Sequence, residues 1–423
     1  MSTKRFKSAA VVLAALAGTA FGQFSFSGPD AYATPLRPAG VAVGDFDGVN
    51  GADLAVVTNN PDKVSLLFNT GVGTFTGPVD ILTGGGTGPG HIVSLDANGD
   101  GIVDLAVALQ NSNAVMVLQG NGVGGFATLG SFPVGADPRY LVARDFNDDG
   151  MMDIASANRD GNSVTVLLNS GAGFVGTSFA VGDEPRALTA GDFNNDGMMD
   201  IAASNHRDRN VSLLAGNGAG GFTPMGTLAV NPATRPDGLV AADLDGDGDD
   251  DLAVATGGPD FVSVFLNTGG LGARIDYPTG GVGLSGLAAG DLDGDGDMDL
   301  VGLNKDTNSM SLLANNGNGT FGAAQLMATG TSPDHAVVAD LGGSTAMDIA
   351  VTNRDSDNTM VFLNNAIDDC DADFNGDGTA DTQDVLAFLN AWTAGDPSAD
   401  VNEDGSVDTL DVLVFLNAWN AGC

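Results

Sequence analysis

Variants of the segment Gly191-Asp-Phe-Asn-Asn-Asp-Gly-Met-Met-Asp200 recur along most of the chain. Successive copies begin 47 to 51 residues apart. The aspartates that open them are Asp45, Asp96, Asp145, Asp192, Asp243, Asp291 and Asp340. A repeat of about fifty residues is typical of propellers and solenoids, in which each repeat is one supersecondary unit.

Each repeat contains four short apolar segments separated by turns. In the fourth repeat, residues 188–191 and 201–204 flank the acidic loop. Residues 211–214 follow a polar loop, and a glycine-rich hairpin leads to a segment that begins at Phe222. Four short antiparallel strands per repeat predict an all-β, seven-bladed β-propeller.

The two ends of the repeat region predict how the ring closes. The seventh repeat stops after its third segment, at 360–363, and residues 24–33 precede a proline linker as fourth segments do elsewhere. We therefore expect residues 24–33 to pair with residues 359–363, which hides strand edges that would otherwise promote aggregation. An open solenoid is the alternative.

The acidic loops of repeats two to six carry oxygen ligands at positions one, three, five and nine, with a backbone carbonyl available at position seven. Two carboxylates ~5 Å apart repel by about 3 kcal/mol at an effective dielectric of about 20, so converging aspartates need a cation. Solvated aspartate turns are the alternative. The predicted calcium ligands are Asp96, Asn98, Asp100, Ile102 and Asp104; Asp145, Asn147, Asp149, Met151 and Asp153; Asp192, Asn194, Asp196, Met198 and Asp200; Asp243, Asp245, Asp247, Asp249 and Asp251; and Asp291, Asp293, Asp295, Asp297 and Asp299.

The first and seventh loops depart from this pattern. The first keeps Asp45, Asp47 and Asp53 but has Val49 at position five, which predicts a weak calcium site. The seventh keeps only Asp340 and Asp348, and no ion is assigned to it.

The nine-residue loop and the following Asn-x-Gly-x-Gly-x-Phe resemble the FG-GAP/VCBS repeat family, which includes the integrin-alpha propeller. The resemblance covers roughly residues 24–365. It implies a seven-bladed propeller with calcium in the loops that join strands one and two. It does not select a function, because such propellers occur in adhesion proteins, lectin-like proteins and some lyases.

A second type of acidic loop occurs twice near the C-terminus, and each copy precedes a helical pattern that ends in Phe-Leu-Asn-Ala-Trp. Twelve-residue loops with this ligand spacing bind calcium. The predicted ligands are Asp373, Asn375, Asp377, Thr379, Asp381 and Asp384, then Asp400, Asn402, Asp404, Ser406, Asp408 and Asp411. Residues 370–423 resemble a dockerin of the type that ends in Gly-Cys. The resemblance implies calcium-dependent docking to a cohesin-like or other anchoring protein; a paired EF-hand sensor is the alternative.

Residues 1–22 have the features of a secretory signal peptide: three early cations, an apolar run too short to span a bilayer, and small residues for cleavage near Gly22. No later run is long enough for a transmembrane segment. The sequence therefore predicts a secreted or cell-surface protein, in which Cys370 and Cys423 form one disulfide. The predicted division is 1–22 signal peptide, 23–366 propeller and 367–423 dockerin-like domain.

Charge indicates where a ligand would bind. The 423 residues include 54 Asp+Glu but only 15 Lys+Arg, and the formal charge of −39 argues against nucleic acid as a partner. Most cations fall in two loop classes that open on the propeller face opposite the calcium loops. The predicted ligand-face residues are Arg139, Tyr140, Arg159, Arg186, His206, Arg207 and Arg354. Local pairing with neighbouring aspartates is the alternative role for these cations.

No nucleophile–base motif, zinc spacing or phosphate-binding glycine loop is present in the sequence. The favoured hypothesis is a non-enzymatic, secreted binding or adhesion protein that holds about seven Ca²⁺ ions and binds a polysaccharide or surface protein. A polysaccharide-degrading enzyme, either a lyase or a glycoside hydrolase, and a structural cell-surface protein are the alternatives.

Overall fold

The computed structural model describes residues 24–230, 233–342, 346–364, 374, 382–399, 401 and 406–421. Within these residues, 28 strands form seven four-stranded antiparallel sheets, each built mainly from one repeat. The predicted segments of the fourth repeat are confirmed as strands, each of them longer than the predicted apolar segment. The fold is therefore mostly β, as a seven-bladed propeller.

The first six blades are each continuous in sequence. Blades one to three comprise β2 (Leu36–Gly44), β3 (Asp53–Asn60), β4 (Asp62–Asn69), β5 (Phe75–Leu82), β6 (Pro89–Leu95), β7 (Asp104–Leu109), β8 (Ala114–Gly120), β9 (Phe126–Pro133), β10 (Pro138–Arg144), β11 (Asp153–Asn158), β12 (Ser163–Asn169) and β13 (Phe174–Ala180). Blades four to six comprise β14 (Pro185–Gly191), β15 (Asp200–Asn205), β16 (Asn210–Gly216), β17 (Phe222–Ala229), β18 (Arg235–Ala242), β19 (Asp251–Gly257), β20 (Phe261–Phe265), β21 (Ile275–Pro278), β22 (Leu284–Gly290), β23 (Asp299–Asn304), β24 (Ser309–Leu313) and β25 (Gln325–Ala328).

The seventh blade combines both ends of the repeat region. It comprises β26 (Pro333–Ala339), β27 (Asp348–Asn353), β28 (Asn358–Asn364) and, as its outer strand, β1 (Phe26–Ala33). β1 is antiparallel to β28, with Tyr32 opposite Thr359 and Ala31 opposite Met360. The predicted closure is confirmed, and the open solenoid is excluded.

The core lies between neighbouring blades. The second strand of a blade is buried along most or all of its length, as in β7, because sheets pack against both of its faces. The residue at position two of the acidic loop enters the same core. Phe46 of blade one packs with Leu105 and Val107 of blade two, and Phe193 of blade four packs among residues of blade five. Each acidic loop is thereby anchored to the adjacent blade.

The described part of the C-terminal region contains two helices, α1 (Thr382–Ala394) and α2 (Thr409–Ala421), which extend beyond the predicted helical runs. They pack through Phe388 and Phe415, whose stacked rings lie 4.1 Å apart. Neither has both the length and the apolar composition needed to cross a bilayer. Only two short helices are described here, so the dockerin-like module stays a prediction.

Several predicted features lie outside the described residues. These are the signal peptide 1–22, the cysteines Cys370 and Cys423, and the ligands Asp373, Asn375, Asp377, Thr379, Asp381, Asp400, Asn402 and Asp404. Of the remaining predicted C-terminal ligands, Asp384 and Asp411 are buried in the first turns of the two helices, whereas Ser406 and Asp408 are exposed.

Candidate functional site

The aspartate at position nine of each acidic loop is fully buried and binds the backbone through both carboxylate oxygens. Asp299 accepts hydrogen bonds from the Leu292 N–H (2.9 Å) and from the Asn315 N–H at the end of the third strand (2.8 Å). Burial raises the pKa of Asp299 to about 8, and the same cause raises that of Asp348 to about 6. The same pair of bonds occurs in all seven blades, at Asp53, Asp104, Asp153, Asp200, Asp251, Asp299 and Asp348. The residue is therefore a structural clamp as well as a candidate ligand.

The aspartate at position one organises the rest of the loop. Asp243 accepts hydrogen bonds from the Gly246 N–H (2.8 Å) and the Gly248 N–H (2.9 Å). Gly248 has φ +91°, a left-handed conformation that favours glycine. The loop is thus bent into a cage by its own backbone amides.

Three acidic clusters among the described residues bring their carboxylate oxygens within 4.8 Å of one another: Asp45, Asp47 and Asp53; Asp243, Asp245 and Asp251; and Asp291, Asp293 and Asp295. Oδ1 of Asp245 and Oδ1 of Asp293 are buried and have no hydrogen-bond donor among the residues that the structure describes. Burial, followed by the nearby Asp295, raises the pKa of Asp293 to about 6. Buried, unpaired carboxylate oxygens fit a hard divalent cation, so the fifth and sixth loops are chemically suited to calcium. The first loop, the predicted weak site, also brings its three aspartates together.

The second, third and fourth loops use the amide at position three differently. The Asn98 amide donates to Asp100 (2.9 Å), and the Asn147 amide donates to Asp149 (3.0 Å). In the fourth loop, Asn194 donates to the buried Asp200 (2.9 Å). These side chains bridge carboxylates through N–H groups, and to coordinate a cation each must turn its carbonyl oxygen inward.

Position seven was predicted to supply a backbone carbonyl. Its N–H donates to the position-five carboxylate at 2.8–3.0 Å in all five loops, from Ile102, Met151, Met198, Asp249 and Asp297 to Asp100, Asp149, Asp196, Asp247 and Asp295. This contact holds positions five and seven side by side, and it does not test the carbonyl ligand.

An asparagine at or just after the end of the third strand connects neighbouring loops, and the sequence analysis missed this role. The Asn315 amide donates to the Leu244 carbonyl in the loop of the preceding blade (2.8 Å) and to the Met298 carbonyl in its own loop (2.9 Å). Corresponding inter-blade bonds come from Asn69, Asn169, Asn267 and Asn364. In blades two and four, Gly120 and Gly216 end the strand instead. The recurring Asn-x-Gly, present at four of these five asparagines, was the available sequence signal.

A cavity of about 710 Å³ opens between the first strands and the loops that join second and third strands. The cationic side chains that line it are Arg139, Arg159, Arg186, Arg235, Lys305 and Arg354, and the acidic ones are Asp237, Asp260, Asp306 and Asp334. Of the predicted ligand-face residues, Tyr140 and His206 also line it. Arg207 does not; it is 66% exposed and lies 3.5 Å from Asp183. Six of the seven predicted residues are therefore brought together.

Ion pairs occupy much of the cavity rim. Asp137 lies 3.0 Å from Arg139 and 2.7 Å from Arg159. Asp237 accepts from Arg186 (3.0 Å) and His206 (2.7 Å). Of the adjacent pairs that the alternative role predicted, Arg159–Asp160 is present at 2.9 Å, whereas Arg207 and Lys305 pair instead with Asp183 and Asp334. Pairing does not exclude ligand binding, because each guanidinium has five N–H donors.

Two histidines and a tyrosine project into the cavity from first strands. Nε2 of His91 lies 2.9 Å from Nε2 of His335, and the Tyr140 hydroxyl is 3.4 Å from the same His335 nitrogen. Burial lowers the pKa of His335 to about 4 and raises that of Tyr140 to about 12, so all three groups are uncharged at pH 7. His91 and His335 were absent from the predicted site. Each of these histidines lies two residues after a proline of its first strand, Pro89 or Pro333, so the two occupy equivalent positions in their blades.

Solved structures confirm the fold. BBS1N, solved in complex with ARL6DN, aligns with TM-score 0.55 and 13% identity over 80% of this chain and 96% of that chain. A Lactobacillus plantarum protein has TM-score 0.53 and 19% identity, with 70% and 86% covered. The periplasmic gluconolactonase PpgL of Pseudomonas aeruginosa has TM-score 0.52 and 16% identity, with 70% and 86% covered. These likenesses show the fold alone.

Comparison with curated protein sequences finds no significant match. The family model described as FG-GAP-like repeat matches six overlapping segments: 50–107, 96–156, 145–203, 192–254, 243–302 and 291–351. Each segment runs from one acidic loop into the next blade. The chain therefore belongs to the FG-GAP-like repeat family.

Proposed function

We propose that this protein is a secreted, calcium-binding propeller that binds an anionic polysaccharide in its central cavity. The observation that carries the proposal is the convergence of six Arg and Lys side chains, which outnumber the four aspartates, on one cavity in a chain of net charge −39. A local concentration of cations in an acidic protein is suited to an anionic ligand. The cavity volume lies within the range of small-ligand pockets. A surface protein is the other ligand class for this face.

Binding of acidic polysaccharides to the full chain, on a glycan and protein array with and without calcium, tests this proposal. The Arg139→Ala/Arg186→Ala double variant is expected to weaken binding by at least tenfold, since both side chains line the cavity. Arg207→Ala is the matched control, because this arginine lies outside the cavity, and it should bind normally. Unchanged affinity in the double variant would exclude the cavity as the polysaccharide-binding site.

Calcium is proposed for the five complete propeller loops and the two C-terminal loops, with a weaker site in the first loop. The unpaired oxygens of Asp245 and Asp293 support this assignment. The C-terminal module is proposed to dock a cohesin-like or other anchoring protein through residues 370–423. Capture of such a partner by the full chain, but not by a variant truncated after residue 366, tests the docking role.

A polysaccharide lyase is the second candidate function, favoured by the His91–Tyr140–His335 group. In a β-elimination, Nε2 of His335, once released from the His91 N–H, would take the proton from the carbon next to the carboxylate, and the tyrosine would protonate the departing glycosidic oxygen. The C–H and C–O bonds break while a C=C bond forms. New unsaturated ends after incubation with acidic polysaccharides would support this function, and binding without them would support the non-enzymatic one. A structural surface role is the remaining alternative.

A further inference from the structure

We infer that His335 and Arg354 form a carboxylate-binding subsite on the blade-seven wall of the central cavity, taking the carboxylate of an acidic sugar. The inference rests on the proposed function and names the chemistry of its ligand. Both residues line the cavity, and both present a buried nitrogen without a hydrogen-bond acceptor among the described residues: Nδ1 of His335 and Nε of Arg354.

The hydrogen bonds around His91 determine which nitrogen of His335 carries the proton. The Leu141 N–H donates to Nδ1 of His91 (3.3 Å), so the proton of neutral His91 is on Nε2. That Nε2–H donates to Nε2 of His335 at 2.9 Å. Nε2 of His335 is therefore an acceptor, and the proton of this neutral ring lies on Nδ1. His335 Nδ1 is thus an N–H donor that requires an acceptor.

The same reasoning disfavours a metal ion between the two imidazoles. Metal bound to Nε2 of His91 would place the ring proton on Nδ1, where it would face the Leu141 N–H. The N–H of Leu141 and the Nδ1–H of His91 would then point at each other at a buried position, and neither could accept a hydrogen bond from the other. The cluster is accordingly a hydrogen-bond chain whose last donor has no acceptor.

Arg354 directly follows β27, the strand that pairs with the His335 strand β26, in which His335 is opposite Thr352. Its backbone N–H donates to the Ser332 carbonyl (3.0 Å), and Pro333 is opposite Asn353 in the β26–β27 register. The neighbouring Asp334 lies 3.8 Å from the Lys305 ammonium. An arginine N–H and an imidazole N–H on one wall match the two oxygens of a carboxylate.

An acidic sugar is favoured over an acidic peptide by the shape of the site. Peptides bind most often along grooves or sheet edges, in extended form. This site lies inside a cavity enclosed by the blades, with the Tyr140 and His91 rings 3.9 Å apart in its wall. Across the ring, the equivalent positions are Ala187, Gly238 and Gly286, none of which places a large side chain in the cavity.

Calorimetric titration of the full, calcium-loaded chain tests the subsite, with galacturonate and its short oligomers, galactose, and an aspartate-rich peptide as probes. We expect galacturonate to bind at least tenfold more tightly than galactose. Arg354→Gln should remove that preference, whereas Arg207→Gln should retain it. His335→Gln, whose amide falls near the Nε2 position, should weaken galacturonate binding about tenfold. His335→Asn, whose amide falls near Nδ1, should retain more of the affinity.

The outcomes separate this inference from the proposed function. If galacturonate oligomers bind and Arg139→Ala/Arg186→Ala abolishes binding, but Arg354→Gln and His335→Gln do not affect it, the subsite is wrong and the binding function stands. If the peptide binds and the sugars do not, the ligand is a protein and the subsite assignment is overturned. If no probe binds the wild-type chain, both proposals fail.

Discussion

Asp348 lies in the seventh loop, which has lost the acidic ligands at positions three and five, yet it keeps both backbone bonds found in the other blades. At the scale of single residues, the ninth aspartate is thus retained for the backbone even where no ion is assigned. The spacing of the acidic residues can be read directly from the sequence. It could not show which carboxylates bind amides, because an aspartate that ligates an ion and one that caps a strand look the same in a sequence.

Asp348→Asn tests the clamp without interference from metal. The substituted amide places an N–H where an oxygen accepted one, and an unsatisfied buried donor costs about 1–3 kcal/mol. We expect a loss of about 2 kcal/mol in the free energy of unfolding, measured by urea denaturation in chelator. Asp340→Asn is the control, because Asp340 is exposed, and it should change little. Equal stability of both variants would contradict the clamp.

His335 predicts acid sensitivity of the propeller. Its pKa is lowered by burial to about 4 from the ordinary 6.5, so between these values the unfolded chain binds a proton that the folded chain does not. The contribution of His335 to stability therefore falls as pH is lowered through this range, whereas those of the buried Asp299 and Asp348, whose pKa values are raised, change in the opposite direction. His335→Gln should flatten the pH dependence relative to wild type in denaturation curves recorded from pH 7 to 4. An identical slope in the two proteins would argue against a buried neutral histidine.

At the scale of elements, the N-terminal strand closes the ring. Deleting residues 23–35 should expose the edge of β28 and remove its partner β1, giving a poorly soluble and easily digested protein. Limited proteolysis and thermal melting compared with the full chain measure this effect. A truncated protein of unchanged stability would mean that closure does not depend on β1. The closure was predictable because the seventh repeat lacks a fourth segment in the sequence.

The asparagine bonds between blades also act at this scale. Asn315→Ala removes two buried donor bonds, to Leu244 and Met298, and should lower the free energy of unfolding by about 1–3 kcal/mol. Asn316→Ala, which removes an exposed bond to Thr320, is the matched control and should cost under about 1 kcal/mol. If urea titrations show that both substitutions lower the free energy of unfolding equally, the inter-blade hydrogen bonds of Asn315 do not stabilise the propeller more than an exposed hydrogen bond does.

At the scale of the whole molecule, calcium is expected to offset the self-repulsion of a chain of charge −39. Each ion held at tenfold over its dissociation constant contributes about 1.4 kcal/mol, so seven ions contribute about 10 kcal/mol, comparable to the stability of a domain. Chelation should lower the melting temperature sharply. Added calcium should restore it, whereas magnesium at the same concentration should not. A melting curve that is the same with and without chelator would refute calcium stabilisation.

The cavity is the part of the molecule that the sequence predicted least completely. Loop classes indicated which cations share a face, because strand connections alternate between the two faces of a propeller. The contact between His91 and His335 joins residues 244 positions apart, from blades two and seven. Such proximity depends on ring curvature and closure, and no local pattern encodes it.

The seventh blade has a consequence for biosynthesis. Ser27 of β1 bonds to Leu363 of β28, 336 residues later in the chain. At a synthesis rate of about 5–20 residues per second, the first strand leaves the ribosome roughly twenty seconds to a minute before its partner exists. A nascent chain that stops before β28 is an unclosed stack with a free edge. Prematurely terminated products are therefore expected to aggregate or be degraded, rather than to accumulate as smaller rings.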